Sequence, residues 1–365
     1  MADDLEVGLL IQPVNTWDWD RVEAGGFETE QPVADAEVWD TIVKVALLAE
    51  ELGFAALWMT EHHRTPYGMC PNPLQFLAYL AGRTQCIDLG AAVVVLPWHD
   101  PVRVAEDIAQ LQNMTQGRRL RIGFGRGAAS SEYEHLRVDQ GLARERFDEG
   151  IDIVRKAIAT EEFSHDGELY KIASTTIRPR PLDPQQLIDD FFCAFVGEPS
   201  LRAAAKAGLG MCFNVAKPYD LVREDIDLFN AVRAENGMEP TRPMIVKVMY
   251  CAESDEEARE VASRQITHYY SDANRHYRVE KVANVRGYEH YQAGPTAATG
   301  AMQPDVLDTS IWGSPERCLE QIRELREHTG LSHLLVSSLY GEMGYAEAER
   351  SLRLFASEVM PRINA

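Results

Sequence analysis

The sequence predicts a single (β/α)₈ (TIM) barrel with insertions, spanning residues 1–365. Three observations lead there. Short apolar runs rich in Val, Ile, Leu and Phe alternate with amphipathic segments at helical spacing, the pattern of a parallel sheet crossed over by helices. Eight such runs can be counted along the chain, and eight favours a sheet closed on itself over an open one. A chain of 365 residues, 45% hydrophobic and 25% charged, has enough apolar side chain for one large core and fits the size range of single barrels.

The first strand reads LEVGLLIQ, Leu5 to Gln12, and a helix over about 36–52 follows it, ended by Gly53. AALWM, Ala55 to Met59, is the second strand, followed by a helix over about 73–83 that opens on Pro73. IDLGAAVVVL, Ile87 to Leu96, is the third, and a helix begins near Pro101; RLRIGFG, Arg119 to Gly125, is the fourth. FFCAFVG (Phe191 to Gly197), GMCFN (Gly210 to Asn214), MIVKVMYC (Met244 to Cys251) and SHLLVSS (Ser332 to Ser338) complete the set. Two stretches interrupt the alternation. Residues 162–184, polar and β-prone with several prolines, read as an excursion outside the barrel. Residues 271–304, rich in Tyr, His, Arg, Gly and Ala, read as a mobile lid, because a connection of that length is uncommon unless it serves function.

The formal charge of −21 repels the phosphate backbone of nucleic acids and anionic lipid headgroups, so neither is expected as a partner. An anionic cofactor must then be held by a few local arginines and backbone N–H groups. No apolar run approaches the ~18 residues of a membrane span, and the acidic start MADDLEVGLL is unlike a basic signal peptide, which predicts a cytoplasmic protein. Six scattered cysteines without CxxC spacing are expected to be reduced, structural thiols.

In such a barrel the reacting groups follow the strands at their C-terminal ends. After the second strand come Thr60-Glu61-His62-His63-Arg64, a set suited to acid–base work, to orienting a substrate or to binding a metal. HExxH is absent and His99 is the sole neighbour by barrel order, so acid–base or hydrogen-bonding use is favoured and no metal is expected. Gly123-Phe124-Gly125-Arg126-Gly127 follows the fourth strand, where glycines let the backbone approach a ligand and Arg126 offers a bidentate fork; a plain βα turn is the alternative. Arg144 opens the next helix, and Gly197-Glu198-Pro199-Ser200 begins another after the fifth strand. Arg126, Arg144, Ser200 and the Gly197 amide can converge on one phosphate, unless Arg144 is merely paired to Glu145 or Asp148 and Ser200 is an ordinary cap.

On these residues the chain resembles the bacterial luciferase-like family of flavin-dependent monooxygenases. The likeness rests on EELGFAALWMTEHH (Glu50 to His63), LGAAVVVLPWHDPVRVAEDIAQLQNMTQGRRLRIGFGRG (Leu89 to Gly127), RERFDEG (Arg144 to Gly150) and WGSPERCLEQI (Trp312 to Ile322). The resemblance implies a barrel that holds reduced FMN, which reacts with O₂ to a C4a-peroxyflavin that oxygenates a small organic substrate. It further implies a separate flavin reductase supplying FMNH₂, and a homodimer. It places His62 beside the isoalloxazine with His63 as its neighbour, Arg126 and Arg144 at phosphate-contacting positions, and Val196 and Gly197 at the position of a Glu-Ser pair. Ala92-Val93 matches a place where the family often has a non-prolyl cis peptide, and Gly125 stands where light-emitting members carry a reactive cysteine. Luciferase activity proper is therefore not expected. A closing lid with Tyr277, Tyr288 and Tyr291 would cover the ring; ordinary packing is the alternative role of these tyrosines.

Three other functions fit parts of the pattern. An F420-dependent hydride-transfer oxidoreductase would use the same barrel with a different phosphate-bearing cofactor. A non-catalytic partner like the luciferase β subunit would keep the fold and lose the flavin site, against which the retention of Arg126, Arg144 and His62 argues. A metal-dependent hydrolase would need more ligands than the sequence displays.

Overall fold

Eight parallel strands close into a barrel: β1 (Glu6–Ile11), β2 (Ala56–Met59), β3 (Asp88–Val95), β4 (Leu120–Gly125), β5 (Phe191–Ala194), β6 (Gly210–Asn214), β7 (Met244–Cys251) and β8 (His333–Ser337). Each pairs with its neighbour in chain order, and β8 returns to β1 with Glu6 opposite His333 and Leu9 opposite Val336. All eight coincide with the runs read from the sequence. The architecture is taken from a computed structural model that describes residues 4–214, 218–288 and 307–365.

Strand alternation divides the core in two. Leu9 and Ile11 point outward into the layer beneath the helices, with Leu57, Leu89, Ile122, Ile245 and Leu334. Leu10 points inward, with Trp58, Phe192, Cys212, Met244 and Leu335. Trp58 fills the barrel interior because β1 and β3 offer glycines at its level: a Cβ on Gly8 would lie 2.6 Å from the Trp58 ring nitrogen, and one on Gly90 2.2 Å from its ring carbon. Below it Arg121, buried, pairs with Glu6 and Asp88 at 2.8 and 3.1 Å and seals the N-terminal end. Open volume inside the barrel is thereby confined to its C-terminal mouth.

Helices Asp35–Glu51, Pro73–Ala81, Pro101–Met114, Ala143–Ala159, Glu198–Lys206, Tyr219–Glu235 and Tyr345–Glu358 surround the strands, and β7 is followed by two, Asp255–Tyr277 and Pro315–Thr329. Several start as their sequences dictate. Asn72 and Asp100 accept amide hydrogens of the first turn, and proline follows each at the position where its missing N–H costs nothing. Residues 162–184 do leave the barrel, as an antiparallel hairpin of Phe163–Asp166 against Lys171–Thr175. A short strand unanticipated from the sequence, Ile311–Gly313, pairs parallel alongside the C-terminal end of β7, with Ile311 opposite Met249. The stretch expected to be a lid from Ser271 begins as helix: Asp255–Tyr277 is continuous, because Ala258, Ala262, Ile266 and Ala273 keep an apolar stripe buried to its last turn. Residues 289–304 of the expected lid, Tyr291 among them, lie outside the described residues. Among the described residues no helix is long and apolar enough to cross a membrane.

Candidate active site

A cavity of about 290 Å³ opens at the C-terminal mouth, walled by residues that follow seven of the eight strands and by the helix end around Tyr277. Of the ten residues singled out in the sequence, His62, Ala92, Val93, Gly125, Arg126, Arg144, Val196, Gly197 and Ser200 line it. A larger groove of about 680 Å³ runs along helix Tyr345–Glu358 and holds none of them.

One end of the cavity is built for an anion. Gly127, at φ +68°, turns the chain after β4 where a Cβ would strike the Trp98 ring, and this aims Arg126 across the mouth. Arg126 and Arg144 each donate from Nη2 to the same acceptor, Ser200 Oγ, at 2.9 Å. Arg126 also lies 4.6 Å over the Tyr288 ring and donates to the Gly287 carbonyl at 3.3 Å. Arg144 does approach Asp148, at 3.6 Å, but that carboxylate is half-exposed and leaves Nη2 turned to Ser200. Burial, with the Arg126 charge beside it, makes the Arg144 guanidinium a weaker base than usual. Two cations sharing one neutral hydroxyl is an arrangement that a dianion would stabilise. Gly197, at φ +79°, heads helix Glu198–Lys206 without a side-chain cap, so the helix amides face the same place.

The opposite wall carries the imidazole. His62, mostly buried, presents Nδ1 to Glu132 Oε1 at 3.3 Å and Nε2 to the Tyr277 hydroxyl at 3.4 Å, with Tyr67 and His276 rings 4.9 Å away. Burial pushes the Glu132 carboxyl up, but the charges and hydrogen bonds of His62 and His276 outweigh it and hold it at about 2. Burial, with smaller contributions from the His62 and Arg64 charges, lowers the basicity of His276 against the pull of Glu132. His63 departs from the sequence reading of two imidazoles side by side. Its ring turns from the cavity to Glu61 Oε1 at 3.1 Å, beside His99 at 2.7 Å from the same oxygen, while Glu61 Oε2 accepts the Val95 amide. Consecutive residues of an extended segment point to opposite sides, so only one histidine of the pair can face the cavity.

Between the two ends lies a flat apolar floor. The Ala92-Val93 peptide is cis, and β3 shifts register against β4 there. Gly125 leaves its space to Val93: a Cβ at Gly125 would fall 2.6 Å from Val93 Cγ2. Sequence reasoning missed Glu132, His276 and Tyr67. His62, Glu132 and His276 bring their ligand atoms within 4.8 Å of one another, the one cluster among the described residues able to hold a metal.

The molecule is a (β/α)₈ barrel with a cavity at its C-terminal mouth, lined by His62, Arg126 and Arg144. The chain belongs to the luciferase-like monooxygenase family, whose model matches residues 22–333, and is an oxidoreductase by that membership. It is 27% identical over 359 residues to limonene 1,2-monooxygenase of Rhodococcus erythropolis, covering 96% of this chain and 88% of that one. It is 29% identical over 336 residues to the oxygenase component of a flavin-dependent trigonelline monooxygenase of Acinetobacter baylyi, covering 89% and 90%. Among solved structures it is similar to the monooxygenase RslO1 of Streptomyces bottropensis, with a TM-score of 0.77, 25% identity, and 98% and 99% of the two chains covered. The resemblance read from the sequence is borne out.

Proposed function

We propose that the protein is the oxygenase component of a two-component system, which takes reduced FMN from a separate reductase and uses O₂ to oxygenate a small organic molecule. The observation that carries this reading is the convergence of Arg126 and Arg144 on Ser200 Oγ at one end of the cavity that has His62 at the other. The residues fit the cofactor. The guanidiniums, Ser200 and the amides after Gly197 would hold its phosphate, Ala92, Val93 and Gly125 would lie against one face of its ring, and Val196 would border it. Bound reduced FMN would supply the activation of O₂, which no side chain here can perform.

The chain's own contribution is to bind, to dry and to move a proton. Tyr133, Tyr288 and Trp98 close the anion end to water, with Tyr288 donating to the Gly127 carbonyl at 2.8 Å. His62 is the acid–base group, its Nε2 facing the cavity. His63, held by Glu61, orients the loop on which His62 sits. The trigonelline relative's description as an oxygenase component supports a separate reductase for this chain, and the pocket's phenols and apolar floor suit a substrate of modest polarity.

The experiment supplies purified protein with FMNH₂, O₂ and a broad substrate panel, and in parallel titrates it anaerobically with FMNH₂ and with reduced F420. Tight FMNH₂ binding and any O₂-dependent oxygenated product support the reading. Turnover with F420 in strict absence of O₂, or failure to bind any flavin, would replace it.

A further inference from the structure

Two buried ionisable groups beside His62 have no part in the chemistry above. Glu132 sits on the short helix Ser130–Leu136 after β4, and His276 in the last turn of helix Asp255–Tyr277 after β7; their side chains are 1% and 0% exposed. Three connections that are distant in sequence thus deliver His62, Glu132 and His276 to one spot. Glu132 Oε1 accepts the His63 backbone N–H at 2.7 Å and lies 3.3 Å from His62 Nδ1. Glu132 Oε2 lies 3.5 Å from His276 Nε2, and His276 Nδ1 is 2.7 Å from Thr65 Oγ1.

We propose that Glu132 is a positioning residue for His62: its carboxylate takes the Nδ1 proton of His62 and so fixes the tautomer whose Nε2 lone pair faces the cavity. His276, hydrogen-bonded to Thr65 through Nδ1, sets its Nε2 3.5 Å from the second oxygen of that carboxylate. The inference rests on the reading of His62 as the acid–base group.

With His276 neutral, the donors and acceptors fit the following arrangement. An ionised carboxylate only accepts, so both Glu132 oxygens require hydrogens pointed at them. The Thr65 hydroxyl donates to His276 Nδ1, which leaves the His276 proton on Nε2, directed at Glu132 Oε2. Oε1 then receives the His63 amide and His62 Nδ1–H. His62 Nε2 is left as an acceptor facing the Tyr277 phenol at 3.4 Å on the cavity side. The ionisable groups around this imidazole are Glu132 from the β4 connection, His276 and Tyr277 from the helix after β7, and Tyr67 and Arg64 from its own loop, while Glu61 is turned away to His63 and His99. When Nε2 takes a proton, the cation formed lies against the carboxylate across the ring; the proton is later returned from the same nitrogen and no electrons move. A carboxylate at a histidine's far nitrogen does the same in serine hydrolases, where it orients the ring and stabilises the imidazolium.

The test is histidine ¹⁵N NMR on the purified protein, without FMN and with it, for the unsubstituted chain, Glu132→Gln and Glu132→Asp. The unsubstituted protein is expected to show neutral His62 with its proton on Nδ1. In Glu132→Gln the acceptor that fixes the Nδ1 proton loses its charge, and the His62 ¹⁵N shifts should show a mixture of the two tautomers. Glu132→Asp should restore the Nδ1 tautomer and with it kcat/KM, while FMN affinity stays within about twofold in both variants, since the anion end is untouched. A proton on Nε2 in the unsubstituted protein, or an unchanged tautomer in Glu132→Gln, overturns the proposal, and the first of these needs no variant to fold. If neither protein binds FMN yet the tautomers are as expected, the positioning role stands and the monooxygenase reading falls.

Discussion

Replacing Arg126 with alanine should separate the anion end of the site from everything else. In the protein without ligand, Arg126 gives one hydrogen bond to Ser200 Oγ, which Arg144 also donates to, and one long bond to the Gly287 carbonyl. Its removal therefore leaves Ser200 satisfied and relieves the charge pressing on Arg144, so the empty protein should lose little stability. With FMN bound the loss is different. A charge-assisted bond to phosphate is worth about 1.5–3 kcal/mol; taking about 2 kcal/mol, Kd rises roughly thirtyfold. Ligand stabilisation follows RT ln(1 + [L]/Kd), so FMN at 100 times the original Kd stabilises the unsubstituted protein by about 2.7 kcal/mol and the variant by about 0.9 kcal/mol. An unfolding entropy of about 2.1 cal/mol/K per residue over 365 residues gives about 0.8 kcal/mol/K. The FMN-induced rise in Tm should thus fall from about 3.5 °C to about 1 °C. Thermal unfolding with and without FMN, repeated with riboflavin, measures this. If affinity for riboflavin, which lacks the phosphate, falls by the same factor as for FMN, Arg126 does not hold the phosphate and the assignment of this end is wrong.

Three further outcomes are expected. His62→Ala should bind FMN within about twofold of the unsubstituted protein but divert FMNH₂ from product to H₂O₂, measured as product and peroxide per FMNH₂; unchanged coupling would remove His62 from the chemistry. Gly125→Ala should lose about 1–3 kcal/mol of stability to overpacking against Val93, and Val93→Ala in the same chain should recover most of it, as read from denaturant midpoints; an additive double variant would contradict the contact. Lys247, at 2% exposure, has its amine dragged by burial from 10.5 to about 8. Its folded pKa lies below the unfolded one, so the unfolded chain holds the proton more tightly. The cost of the buried cation is complete below pH 8 and fades as pH climbs from 8 to 10.5. Relative to Lys247→Met, the unsubstituted protein should gain on the order of 3 kcal/mol across that window; equal denaturation profiles would refute it.

The barrel was legible because its strands are buried on both faces and read as bare apolar runs, which few other structures produce at that regular spacing. The anion end was legible for a different reason. Arginines in a chain of net charge −21, each directly after a strand or opening a helix, have few structural reasons to be where they are. Glu132 gave no such signal: in ASSEYEHL it looks like the solvated face of a short helix, and only the fold reveals that it is buried against His62. His276 was hidden by a misplaced boundary. The stretch read as a lid began at Ser271 and so took in the last turn of helix Asp255–Tyr277, although Ala258, Ala262, Ile266 and Ala273 form one apolar stripe. The inequality of His62 and His63 was within reach, since adjacent residues of an extended segment cannot share a face.

The two ends of the cavity are joined by one described stretch, residues 276–288. His276 and Tyr277 touch His62 at its start, and Tyr288 lies under Arg126 and bonds the Gly127 carbonyl at its end. A phosphate settling between Arg126 and Arg144 competes for the guanidinium that now stacks on Tyr288 and reaches the Gly287 carbonyl. Whatever strengthens or releases that hold acts on the same segment that carries His276 and the Tyr277 phenol. Under the proposed function, filling the anion end would load the same segment whose start carries the groups that touch His62. That would be the economy expected where binding energy far from the reacting atoms is used to arrange them.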